Sequence, residues 1–280
     1  MHTSVNGTRL FFDVDGAGLV AEGAVMRERP TVVLLHGGPG FDHSNFKPEY
    51  AQLTDVAQLV YVDHRGNGRS ERNDPASWNL DTWADDVKGL CDALGIERPI
   101  VLGWSFGGFV AMAYAARYPE HPSKLILQST AARTDPDRIA DSFERVGGAD
   151  VGEAARDFWS HPNDETMGRY LEYCIPLYHS EPLDSQIARC VLNVVLLAGG
   201  FEGIGEMDLR AGLGGLRCPV LVMAGDADPI TPLEAAREIV DALSGSAADV
   251  ALEVFDHSSH FINLSEPDRF FSVLRAFITA

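Results

Sequence analysis

The chain has 280 residues, 45% hydrophobic and 22% charged, ordinary proportions for a globular protein with a substantial core. Its 41 acidic against 22 basic side chains leave a formal charge of −19, a surface that repels nucleic acid and anionic membrane. A small-molecule or short-peptide substrate is the expected partner. Cys91, Cys174, Cys190 and Cys218 show neither CxxC nor clustered spacing, so they are expected as reduced, mostly buried thiols. The first residues lack a basic stretch followed by an apolar one, and no apolar run approaches the roughly 18 residues of a membrane span. A cytoplasmic location is expected.

Residues 8–14 and 18–25 alternate apolar and polar and predict a β-hairpin turning at "DGAG". The pattern then changes. "TVVLLH" (31–36), "QLVYVD" (58–63), "PIVLGW" (99–104), "KLILQS" (124–129) and "PVLVMAG" (219–225) are short runs without alternation, as expected of strands buried on both faces. Helical patterns over 79–94, 106–117 and 232–243 lie between them, with a last strand near 250–255 and a last helix near 266–278. Such repetition predicts an α/β protein with a mainly parallel sheet and helices on both faces. Residues 131–216 break the rhythm. They contain no buried strand, but "VGEAARDFW", "DETMGRYLEYC" and "DSQIARCVLNVVLLA" read as helices, the second stopping before Pro176. The predicted organisation is therefore a core of residues 1–130 and 217–280 with a helical cap, 131–216, over the carboxyl ends of the strands.

The strongest chemical signal is "PIVLGWSFGGFVAMAYAARYP", a strand running through Gly103-Trp104-Ser105-Phe106-Gly107 into an Ala-rich helix. This is G-x-S-x-G in the strand–turn–helix setting of a nucleophile elbow. The turn must be sharp, and the glycines two before and two after Ser105 let the chains pass. A serine needs a base and an orienting acid, which in this architecture follow it in the order acid, then histidine. "PVLVMAGDADPITP" offers Asp226 and Asp228. Asp228, further into the loop, is the expected acid and Asp226 the turn-former. "ALEVFDHSSHFINLSEP" offers His257 and His260. His260, between the last strand and the last helix, is the expected base, and His257 is expected to pack near the strand.

"TVVLLHGGPGFDHSNF" ends a strand in His36-Gly37-Gly38-Pro39-Gly40. The loop is neither G-x-x-x-x-G-K-[ST] nor G-x-G-x-x-G, and Pro39 removes an N–H that a phosphate cradle would use. Attack by Ser105 would instead create an oxyanion needing two N–H donors, one from the residue after the nucleophile and one from a loop after an earlier strand. "HGGPG" lies in that place. No H-E-x-x-H or paired Cys/His spacing points to a metal, and no cofactor is expected. The aromatics Phe158, Trp159, Tyr170, Tyr173 and Tyr178 recur at near-helical spacing and are expected mainly in the core of the cap.

With "HGGPG", the elbow and "DHRGNGRS" (Asp63 to Ser70) together, the chain resembles α/β-hydrolases, and more narrowly the proline iminopeptidase group. The resemblance covers residues 30–130 and 217–280 and hardly touches the cap. It implies a serine hydrolase with Ser105, Asp228 and His260 as triad and the amides of Gly38 and Phe106 as oxyanion hole. Gly37 and Trp104 would lie beside the substrate, and Asp63, His64 and Arg65 would brace loops. Two features depart from the group. It usually has G-G-S-W-G-S at the elbow, where this chain has "GWSFGG", closer to esterases and carbon–carbon bond hydrolases. The group also uses cap acids to hold a free α-amine; Glu172, Glu181, Glu202 and Glu206 are candidates here, the last two nearest the returning strand, in a cap no more acidic than the whole chain. The expected activity is that of an aminopeptidase for small N-terminal residues. An esterase, lactonase or carbon–carbon bond hydrolase on the same residues, or a ligand receptor with little turnover, stands as the alternative.

Overall fold

The central strands owe their place to sequence that is apolar on both faces. In the computed structural model, which describes residues 1–181, 183–199 and 203–280, these are β5 (Thr31–Leu35), β6 (Gln58–Val62), β7 (Ile100–Trp104), β8 (Lys124–Gln128) and β9 (Val220–Gly225). With β10 (Val250–Phe255) they form a parallel array in the order β6-β5-β7-β8-β9-β10. Successive side chains point to opposite faces. Val33 and Leu35 of β5 therefore pack with α1 (Leu80–Leu94), α2 (Phe106–Arg117) and the later Leu233–Leu243 helix, whereas Val32 and Leu34 pack with the C-terminal Pro267–Thr279 helix. In register, Leu35 lies beside Val62 and Gly103, and Gly103 beside Leu127, so His36, Asp63 and Ser105 emerge at one end of the sheet.

The edge differs from the expected hairpin. β2 (Thr8–Asp15) pairs antiparallel with β1 (His2–Val5) and with β6, not with residues 18–25. The β1–β2 turn is Asn6-Gly7, both at positive φ, the backbone that a two-residue hairpin loop demands. Residues 18–25 contribute instead to a separate ribbon of β3 (Leu19–Glu22) and β4 (Val25–Glu28).

Between β8 and β9 the chain carries α3 (Pro136–Gly147), α4 (Ala149–Ser160), α5 (Asp164–Tyr173), α6 (Asp184–Ala188), α7 (Val194–Gly199) and α8 (Arg210–Leu213). Asp135 caps α3 ahead of Pro136, and Asn163 with Thr166 forms a capping box on α5. The single helix expected over 184–198 is two helices. It breaks because Asn193 leaves the helical path: its N–H donates to Gly40 O at 2.8 Å, and its side-chain oxygen accepts from Val195 N at 3.1 Å. Further helices are α9 (Leu233–Leu243), α10 (Ile262–Ser265) and α11 (Pro267–Thr279). Among the described residues no helix is long and apolar enough to cross a membrane.

Candidate active site

Ser105 sits between β7 and α2 at φ 54° and ψ −120°, a region that non-glycine residues rarely occupy. Its backbone is over-determined: its N–H donates to Gln128 O, and its carbonyl accepts from Gly108 N and Thr130 Oγ1. Its hydroxyl does not cap α2 and stands at the helix N-terminus, where the dipole favours developing negative charge. The flanking glycines have a direct steric reason. A Cβ on Gly103 would meet Gly107 O at 2.3 Å, and one on Gly107 would meet Leu35 O at 1.9 Å.

Asp228 follows β9 and is buried. Its Oδ1 accepts the amides of Ile230 and Thr231, each at 3.0 Å; its Oδ2 accepts from Thr231 Oγ1 at 2.7 Å and from His260 Nδ1 at 2.8 Å. Nδ1 must therefore carry a proton, which leaves Nε2 of a neutral ring to accept one. Asp226 is exposed and makes only a backbone bond, to Phe255 O. His257 does not pack as expected; it is exposed, in a turn at φ 57°. The segment between β8 and β9 reaches down onto this histidine: His260 N–H donates to Tyr178 O at 3.1 Å, Ser259 Oγ to Leu177 O at 2.7 Å, and the Tyr178 ring meets the imidazole edge-on at 5.1 Å.

Ser105 and His260 open on one cavity of about 220 Å³, as do Gly37, Gly38, Trp104 and Phe106. A Cβ on Gly37 would lie 3.3 Å from Ser105 Cβ, so its absence lets the loop lie against Ser105. Among the described residues the Gly38 amide meets no acceptor. The opposite wall comes from the helical segment. Phe158, Trp159, Tyr170 and Tyr178 all line the cavity while packing on one another, and only Tyr173 of the predicted aromatic set stays outside, exposed. Burial raises the pKa of both Tyr170 and Tyr178, whose hydroxyls share a 2.7 Å hydrogen bond, so both phenols remain protonated.

No carboxylate lines this cavity among the described residues. Glu172, Glu181 and Glu206 are exposed and stand apart from it, and Glu202 lies outside the described residues. Among the described residues the one cation on the wall, Arg133, is matched by Glu238 at 2.7 Å and Asp135 at 2.8 Å. Burial opposes ionisation of Glu238, but hydrogen bonds from Arg133 and Arg138 outweigh it and hold its pKa below the usual value. Among the described residues no cluster of His, Cys, Asp or Glu is arranged to hold a metal, and all four cysteines are free thiols.

The loop after β6 braces this end of the sheet. Asp63 accepts from His43 N and Nδ1 and from Arg69 N. Arg65 makes a bidentate pair with Asp86 at 2.7 and 2.8 Å. This loop and the one after β5 also hold the helical segment: Asn193 Nδ2 donates to Gly66 O at 2.7 Å, and Val191 N to Asp42 Oδ2 at 2.8 Å. Each such bond is worth roughly 0.5–1.5 kcal/mol net. Sequence reasoning had no way to find Asn193 or Asp42, because their partners are 127 and 149 residues away. Gly40 carried a partial signal. It has φ 94°, and a Cβ there would meet Asn193 O and Leu197 N at 2.9 Å.

A mainly parallel sheet whose nucleophile candidate sits at a strand–helix elbow, with a buried acid–histidine pair in the loops after the last two strands, defines an α/β architecture built for chemistry at the strand ends. The chain belongs to the alpha/beta hydrolase fold family, whose model matches residues 30–267. It is 28% identical over 277 residues to a Caulobacter sp. (strain K31) protein named for carbamate hydrolysis, RutD, covering 95% of this chain and 97% of that one. It is also 28% identical over 275 residues to the proline iminopeptidase PfmaB of Pestalotiopsis fici, covering 92% and 95%. A solved proline iminopeptidase from Mycobacterium smegmatis superposes with a TM-score of 0.76 at 22% identity, over 100% of this chain and 97% of that one, a likeness of fold.

Proposed function

We propose that the protein is a serine hydrolase acting on a neutral ester, lactone or amide with an apolar acyl portion. The observation that carries this reading is His260, hydrogen-bonded to the buried Asp228, opening with Ser105 on one cavity walled by aromatic and aliphatic side chains. His260 takes the proton from Ser105, which attacks the carbonyl. The amides of Gly38 and Phe106 hold the oxyanion, and His260 then protonates the leaving group. Water activated by the same imidazole releases the acid and restores Ser105.

The aminopeptidase reading is supported by "HGGPG", "DHRGNGRS" and the likeness to proline iminopeptidases. It requires a carboxylate facing the substrate's α-ammonium, since a buried cation without a partner is costly. Glu206 stands outside the cavity, so the described wall favours an acyl group without that charge. A panel of p-nitrophenyl esters, lactones, and Pro- and Ala-arylamides with free or acetylated amines separates the two. Esters and lactones are expected to lead. Arylamides that turn over only with a free amine would establish the aminopeptidase. No turnover of any substrate, with no fluorophosphonate label on Ser105, would overturn the enzyme reading.

A further inference from the structure

We propose that His36 is a positioning residue that aims the Gly38 amide at the oxyanion, an inference that rests on the hydrolytic reading above. His36 ends β5 and is fully buried. Its Nδ1 lies 2.7 Å from Gly37 O. A carbonyl oxygen only accepts, so Nδ1 carries the proton. On the other side of the ring, the His64 backbone N–H donates to Nε2 at 3.2 Å, so Nε2 is bare. The two bonds select one tautomer of a neutral imidazole and fix the plane of the ring.

What the ring grips decides the consequence. Gly37 C=O and Gly38 N–H belong to the same planar trans peptide, so they point in opposite directions. Holding the oxygen from the buried side aims the N–H the other way, at a position where both glycines line the cavity. Two adjacent glycines have no Cβ to limit rotation of that peptide, and Gly38 sits at φ 132°, open to few other residues. The side-chain hydrogen bond from His36 supplies the restraint that the sequence otherwise lacks. The other expected donor residue is reached by the same pair of rings: His64 lies 4.5 Å from His36 and meets Phe106 edge-on at 5.4 Å. Burial lowers the pKa of both imidazoles, so both remain neutral at pH 7.

The test uses the full chain with His36→Ala and with His36→Asn, whose amide places an N–H near the Nδ1 position. An oxyanion donor that is present but poorly aimed loses part of its effect, so His36→Ala should lower kcat about 10- to 100-fold. KM should stay within about twofold, because the ground-state carbonyl gains little from the donor. Affinity for an alkyl boronic acid, which forms a tetrahedral adduct on the serine, should fall in parallel with kcat. His36→Asn should recover most of both. On the wild type, ¹⁵N NMR of labelled histidine should show a protonated Nδ1 and a bare Nε2 for His36. A protonated Nε2 would overturn the proposal whatever the variants do. So would active wild-type enzyme whose His36→Ala variant keeps kcat within about threefold. Wild-type protein that neither turns over nor labels at Ser105 would instead overturn the hydrolytic reading, and this one with it.

Discussion

Asp228→Asn puts the acid–histidine pair to a test whose size follows from the hydrogen bonds. Oδ1 accepts two backbone amides, Ile230 and Thr231, which cannot reverse their direction. An asparagine must therefore place its carbonyl there and its NH₂ where Oδ2 was, facing Thr231 Oγ1 and His260 Nδ1. The hydroxyl can turn to accept. The imidazole must also become an acceptor at Nδ1, which moves its proton to Nε2. In that tautomer the ring cannot take a proton from Ser105. A tautomer inversion of this kind costs about 10⁴ in kcat, or about 5.5 kcal/mol of barrier. Folding is barely affected, because each donor and acceptor keeps a partner, and the loss of stability should stay within about 1.5 kcal/mol. The assay is kcat and KM on a p-nitrophenyl ester beside a thermal melt, with Asp226→Asn as the exposed neighbour. Asp226→Asn should leave both unchanged. An Asp228→Asn enzyme within about tenfold of wild type, or an equal loss in Asp226→Asn, would refute the assignment.

Gly107→Ala should destabilise the fold by about 3 kcal/mol or more, because its Cβ would press on the backbone oxygens of Leu35 and His36 rather than on a side chain that can move; a urea midpoint equal to wild type would contradict this. Stability should also fall with pH below about 6.5, at up to about 1.4 kcal/mol per pH unit for each histidine involved. The sign follows from His36 and His64, whose pKa values burial holds below that of an unfolded histidine, so the unfolded chain binds more protons in this window. Carboxylates held low, such as Asp208 at about 2 through its hydrogen bonds from Arg210, act only at more acid pH. Urea midpoints at pH 7.5, 6.5 and 5.5 check the window, and a flat series would contradict it.

The strands buried on both faces were legible because a run such as "TVVLL" leaves no solvent side for an alternative, and Ser105 was legible because glycine spacing, strand and helix coincide there. Pairing was less so. Alternation in residues 8–14 and 18–25 marks extended chain, but it does not name the partner, and the stronger turn signal, Asn6-Gly7, lies before the first of them. Continuity of the 184–198 helix failed for a related reason. Periodicity reports the local preference of the chain, whereas Asn193 answers to Gly40 and Gly66, far away in sequence. The aromatic spacing in 158–178 was ambiguous between core and wall because the side chains serve both.

The proposed function assigns chemistry and selectivity to different parts of this molecule. Gly37 lies against Ser105, the Gly37–Gly38 peptide is held by His36, and Gly40 admits the backbone of Asn193 and Leu197. One five-residue loop thus joins Ser105, the proposed oxyanion donor and the helical segment, and a substitution in it disturbs all three. On the proposed reading the loop addresses a carbonyl oxygen, which esters, lactones and amides share. On that reading, what distinguishes those substrates is the facing wall, to which Ile139, Phe158, Trp159, Tyr170 and Ile204 contribute. Changes there would then alter which acyl group is accepted while leaving Ser105 at its elbow and the His260–Asp228 pair in place. Relatives named for carbamate hydrolysis and for proline removal, each at 28% identity, are what that division of labour would produce.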